Sequence, residues 1–106
     1  MEECPNLSYV QTLAAGDTDF EQRFIQIIKE EFPDEATLYL SHIRHDEPRA
    51  AAEIVHKLKH KFNILSMEKA YAFAVEYEEQ LQIGDMKHDL DFRKILDTIT
   101  RYLKTI

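Results

Sequence analysis

The residues able to do chemistry crowd into one run, Glu53-Ile54-Val55-His56-Lys57-Leu58-Lys59-His60-Lys61-Phe62-Asn63-Ile64-Leu65. Two histidines stand four apart among three lysines. A neutral imidazole nitrogen is a competent nucleophile towards phosphorus. An unperturbed histidine, with a pKa of about 6.5, is mostly neutral at pH 7. A cation one turn away favours that neutral form and attracts phosphoryl oxygens, and Lys59 has the spacing for it. Other chemistries find little support. There is no Gly-rich phosphate loop and no serine nucleophile with a plausible base. The acidic residues are spread out, and no carboxylate pair stands out as an acid–base dyad.

If the run is helical, its faces can be assigned by turning about 100° per residue. Ile54, Leu58, Phe62 and Leu65 then form an apolar stripe, completed by Ala51 and Val55. Arg49, Ala52, His56, Lys59, His60 and Asn63 fall on the other side. His56 lies roughly 150° from the centre of the stripe, so its ring points at water. Most exposed histidines are plain surface residues. This one is set apart by a local cluster of Lys57, Lys59 and Lys61 on a chain of net charge −7. Such a cluster suggests an anion or an acidic partner surface. Ala52, one turn before His56, leaves the ring uncrowded on that side.

The run His-Lys-Leu-Lys-His-Lys-Phe-Asn-Ile-Leu-Ser at 56–66 resembles the histidine phosphotransfer (HPt) domains of bacterial phosphorelays. The family pattern is alanine-His-x-Leu-Lys-Gly followed by a small or apolar run ending in Leu-Gly. His56, Leu58, Lys59 and Leu65 match it. Val55 precedes the histidine, His60 stands at the first glycine, and Ser66 stands at the second. The resemblance implies that His56 is the phosphoacceptor and that Lys59 steadies the phosphoryl group. It implies docking by Ala52, Lys57, His60 and Asn63, with exposed apolar residues on a neighbouring helix contributing. The implied partners are the receiver domain of a hybrid histidine kinase and a response regulator. Mg²⁺ is then expected in the receiver, with no cofactor held by this chain. Tyr9-Val10-Gln11-Thr12-Leu13-Ala14-Ala15-Gly16-Asp17-Thr18-Asp19-Phe20 and Glu30-Glu31-Phe32-Pro33 extend the resemblance, less specifically, over most of the chain.

The 106 residues suit a single domain with one core. Two glycines and three prolines leave little room for the turns of an all-β fold. No apolar run is long enough to span a membrane, and no export leader is visible. The acidic balance argues against nucleic acid as the main partner. Cys4, the single cysteine, reads as an incidental thiol. The expected location is cytoplasmic, and nothing demands more than a monomer.

The elements that must hold the run follow from periodicity. Residues 1–5 read as frayed. Asn6 can cap a short helix whose Leu7, Val10 and Leu13 share one side, and Gly16 ends it. Thr18-Asp19-Phe20-Glu21 reads as a capping box. From there Phe20, Phe24, Ile27, Ile28 and Phe32, then Ala36, Tyr39, Leu40 and Ile43, trace one element over about 18–45, kinked or broken at Pro33. The central helix runs over about 48–64, with Pro48 in its first turn. Ser66 caps the next helix, where Ala70, Ala74, Tyr77 and Leu81 recur and Gly84 closes. The last starts within 86–90 and carries Phe92, Ile95, Leu96, Ile99, Tyr102, Leu103 and Ile106. Phe20, Phe24, Phe62, Phe73 and Tyr77 read as core filling. Short connections between long amphipathic helices predict an all-α fold, an antiparallel four-helix bundle with a short extra N-terminal helix, the architecture the resemblance also implies.

Two other readings are kept. His56 and His60 are spaced like a helical metal-ligand pair, and His42 and His45 lie on another helix. Alternatively the bundle docks a receiver without accepting phosphate.

Overall fold

Spacing of the apolar residues produces five helices and no strand among residues 3–106, which the computed structural model describes. They are α1 (Ser8–Ala14), α2 (Thr18–Arg44), α3 (Pro48–Ile64), α4 (Glu68–Gln82) and α5 (Asp89–Leu103). The molecule measures 44 × 22 × 20 Å. At 1.5 Å per residue, the 27 residues of α2 span about 40 Å, nearly its full length. Helix α3 packs against both α2 and α4, while α1 and α5 lie against α2. One core unites α2 to α5, with Phe32 and Tyr39 from α2, Leu58 and Phe62 from α3, Tyr77 and Leu81 from α4, and Phe92 and Ile99 from α5.

Helix α2 runs unbroken through Pro33. Proline cannot donate to the carbonyl of Lys29, but Pro33 is exposed, so water can satisfy what the helix leaves open. The cap of α2 lies one residue earlier than the expected capping box. Asp17 is the N-cap, and its carboxylate accepts from the Phe20 N–H at 3.1 Å. Leu7, not Asn6, is the N-cap residue of α1; Asn6, one residue earlier, accepts from the Ser8 N–H at 2.9 Å. Of the predicted α1 stripe, Val10 is buried and Leu7 partly so, but Leu13 is exposed. Phe62 and Tyr77 fill the core as expected, Phe24 and Phe73 pack at its edge, and Phe20 is exposed.

Three helices end in one way. Beyond α2, α3 and α4, the residues Asp46, Ser66 and Gly84 take positive φ values of 57°, 63° and 86°. In each case two N–H groups turn back onto the last turn. After α3, the Ser66 N–H donates to the Asn63 carbonyl at 3.1 Å and the Met67 N–H to the Phe62 carbonyl at 2.9 Å. This is a Schellman closure, for which glycine is the best-suited residue. Ser66 therefore ends α3 and does not cap α4.

The cap of α4 comes from far away. The Glu3 carboxylate accepts from the Lys69 and Ala70 N–H groups at 2.8 and 2.9 Å. The Asn6 N–H donates to the Leu65 carbonyl at 2.9 Å, and Pro5 is buried. Residues 3–7 are thus fastened across the α3–α4 turn, not frayed, with Cys4 exposed among them. Met1 and Glu2, also expected to fray, lie outside the described residues.

Candidate functional site

Helix α3 presents His56 as the sequence predicts. Ile54, Val55 and Leu58 are buried on the inner side. The His56 side chain keeps 55% of its surface open. Glu53, Lys57, His60 and Asn63 share that open side.

What orients the ring comes from α4. The Glu78 carboxylate approaches His56 Nδ1 with Oε2 at 3.1 Å. Its other oxygen, Oε1, lies 2.9 Å from Lys59 Nζ. One carboxylate therefore holds both residues singled out for chemistry. A carboxylate only accepts, so the Nδ1 beside it carries the proton. The neutral ring then has its lone pair on Nε2, which has no hydrogen-bond partner among the described residues. The carboxylate also offsets the positive charge of Lys59, whose side chain is only 13% exposed.

His60 lies one turn on, its ring centre 5.0 Å from that of His56 and nearly perpendicular to it. Neither of its nitrogens has a hydrogen-bond partner among the described residues. Beyond it, Ile64 lines a groove of about 90 Å³ with Phe24, Ile27, Ile28, Glu31 and Lys61. Ile27 is half exposed there, and Phe20 follows on the same helix. Phe20 and Ile27 are exposed apolar residues of α2, the helix beside α3.

Two expectations are corrected. Ala52 is 1% exposed and belongs to the core, not to a docking rim. Helix α3 is covered by α2 on one side and α4 on the other, so its buried arc is wider than one apolar stripe. Lys61 is likewise removed from the basic cluster. It is buried against α2, with Nζ 3.0 Å from both Glu31 Oε1 and Glu35 Oε1. Of the three lysines, Lys57 is exposed and forms no ion pair among the described residues. Local excess positive charge at His56 thus shrinks to one lysine.

His42 and His45 do not join the site. His42 Nδ1 meets Glu47 at 2.9 Å, and His45 Nδ1 meets the Ser41 carbonyl at 2.7 Å, both at the end of α2. Among the described residues no three His, Cys, Asp or Glu side chains converge as metal ligands. No helix among them is long and apolar enough to cross a membrane. The larger hollows lie elsewhere: one of about 370 Å³ is lined by Pro48, Arg49, Ile83 and Gly84, and one of about 250 Å³ by Glu3, Phe73 and Ile95. His56 stands in the open, so any reacting group must be brought to it. Glu78 is the residue that sequence reasoning missed. Its only signal is its position four after buried Ala74 and three before buried Leu81, at the margin of the α4 stripe.

Comparison with known protein families, curated proteins and solved structures finds no match for the chain.

Proposed function

We propose that this chain is a phosphorelay intermediate of the HPt kind, an antiparallel four-helix bundle whose short N-terminal helix packs on α2. In this reading His56 accepts a phosphoryl group from a receiver-domain aspartate, that of a hybrid histidine kinase, and passes it to a response-regulator aspartate. The observation that carries it is the Glu78 bridge: an open imidazole on a packed helix, its Nδ1 held by a carboxylate and its Nε2 without a partner among the described residues. In the forward step Nε2 bonds to phosphorus as the bond from phosphorus to the receiver carboxylate breaks, and the carboxylate leaves with the electron pair. Positive charge develops on the ring and is shared with Nδ1–H, where Glu78 stabilises it. The receiver supplies the Mg²⁺ that neutralises the phosphoryl oxygens, so positioning is the main contribution of this chain. Lys59 leaves Glu78 to reach the phosphoryl group. His60, Lys57, Asn63 and the Phe20–Phe24–Ile27–Ile64 surface form the docking rim. The relay works in the cytoplasm with a monomeric carrier, and the chain is no enzyme in its own right.

The test is phosphotransfer from a phosphorylated receiver with Mg²⁺, with His56→Gln in parallel. Acid-labile, alkali-stable label on the native protein and none on the folded variant is the expected outcome. Equal label on both moves the acceptor off His56. No label on either, over a panel of receivers, leaves a bundle that docks without accepting phosphate.

A further inference from the structure

The second imidazole beside the Glu78 bridge takes no chemical part in phosphoryl transfer. His56 and His60 stand on one exposed face with perpendicular rings 5.0 Å apart. His56 offers Nε2, because Nδ1 is held by Glu78, and His60 offers both nitrogens. Two imidazoles bound to one tetrahedral dication, at about 2.0–2.1 Å from metal to nitrogen, have ring centres about 5 Å apart. The ring separation is therefore one that a shared metal allows. The carboxylate behind His56 is the outer partner that metal-bound histidines commonly have, fixing the tautomer and raising the basicity of the other nitrogen. Glu78 is itself occupied by Lys59 and His56, so it is not a third ligand.

We infer that His56 and His60 together take a borderline transition-metal dication, Zn²⁺ or Cu²⁺, through His56 Nε2 and one nitrogen of His60, with water completing the coordination. Ligand softness selects the class: imidazole suits Zn²⁺ and Cu²⁺, whereas Mg²⁺ and Ca²⁺ prefer oxygen. With two protein ligands the site is weak and reversible, and open to chelators. Its consequence rests on the phosphorelay reading. A metal on Nε2 takes the lone pair that would attack phosphorus, so the bound dication is a brake on transfer, and His60 is what makes the brake.

The experiment is calorimetric titration of the purified, untagged protein with ZnCl₂ in a non-coordinating buffer, beside His60→Gln, His56→Gln and His42→Gln. Binding of one Zn²⁺ per chain, weakened at least tenfold by either substitution on α3 and unchanged by His42→Gln, is expected. Equal affinity in native protein and His60→Gln, or loss with His42→Gln, overturns the site. All three positions are at least partly open, and far-UV circular dichroism confirms that the variants fold. In a second arm, receiver labelling is compared with and without Zn²⁺ within each protein. A reduction of at least fivefold in the native protein and none in His60→Gln supports the brake. Equal reduction in both assigns the inhibition to the receiver and overturns it. If no label forms even without Zn²⁺, the phosphorelay reading fails, and the titration alone decides the metal site.

Discussion

Removing the Glu78 carboxylate tests the site at the scale of one residue. A hydrogen bond to a charged group contributes about 1.5–3 kcal/mol. If that stabilisation is fully felt in the transition state, Glu78→Ala slows labelling of His56 by about 10- to 150-fold. The initial rate of transfer from a phosphorylated receiver measures it, and an unchanged rate removes Glu78 from the mechanism. Lys61 gives a different readout. Lys61→Ala leaves the Glu35 carboxylate, 15% exposed, without its nearest cation. Breaking a buried pair from one side costs about 3 kcal/mol, whereas Lys57→Ala on the open face changes stability by less than about 0.5 kcal/mol. Urea unfolding separates the two. The face of His56 was legible because its stripe-forming neighbours Ile54, Leu58 and Phe62 are apolar. The fates of Ala52 and Lys61 were not, since periodicity reports one helix against an average interior. It does not say that α3 has a neighbour on each flank. Glu78 was invisible for the same reason: a contact between residues 22 positions apart leaves no trace in local spacing.

Helix spans were the most readable features, and their ends the least. The start of α3 at Pro48 and of α5 at Asp89 agree with the expected positions, because proline and the onset of the stripe mark them. Caps depend on which of several eligible side chains reaches the free N–H groups. Asp17 and Thr18 are adjacent candidates, and Asp17 makes the bond. Loss of an N-cap costs about 1 kcal/mol, so Asp17→Ala should lower stability by that amount in urea melts while Thr18→Ala leaves it nearly unchanged. The reverse order would restore the capping box read from the sequence. Ser66 provides a gain. A left-handed backbone costs an L residue about 1–2 kcal/mol, and the greater freedom of glycine in the unfolded chain takes back about 0.5–1 kcal/mol. Ser66→Gly should therefore stabilise the protein by roughly 0.5–1 kcal/mol. A lower melting temperature would mean that the serine side chain contributes something its φ of 63° does not reveal.

Across the whole molecule the helices are tied by a polar junction inside the core. Tyr39 on α2 donates to Asp89 on α5 at 2.6 Å, and the Tyr77 hydroxyl on α4 lies 2.6 Å from that of Tyr39. Arg93 holds the other oxygen of Asp89 at 2.9 Å. Burial pushes the Tyr77 hydroxyl up to about 12. Burial and the bond to Asp89 push Tyr39 higher still. A proton held more tightly in the folded chain stabilises the fold below the unfolded value of about 10, and that contribution is lost as pH rises towards the folded value. Stability should thus fall between about pH 10 and 12, with both hydroxyls ionising only as the chain unfolds. Absorbance at the tyrosinate band and circular dichroism, followed together, check this; ionisation of all five tyrosines ahead of unfolding would contradict it. Tyr39 was readable as a core position and Tyr77 as core filling, but their junction at Asp89 joins three helices and was not. The strap at residues 3–7 has a consequence of another kind. Glu3 is synthesised 66 residues before the Lys69 N–H it caps, and Asn6 well before Leu65. On a ribosome, residues 3–7 are unable to take their place until the stretch around residues 65–70 has been made. Until then residues 3–7 are open to whatever else is present.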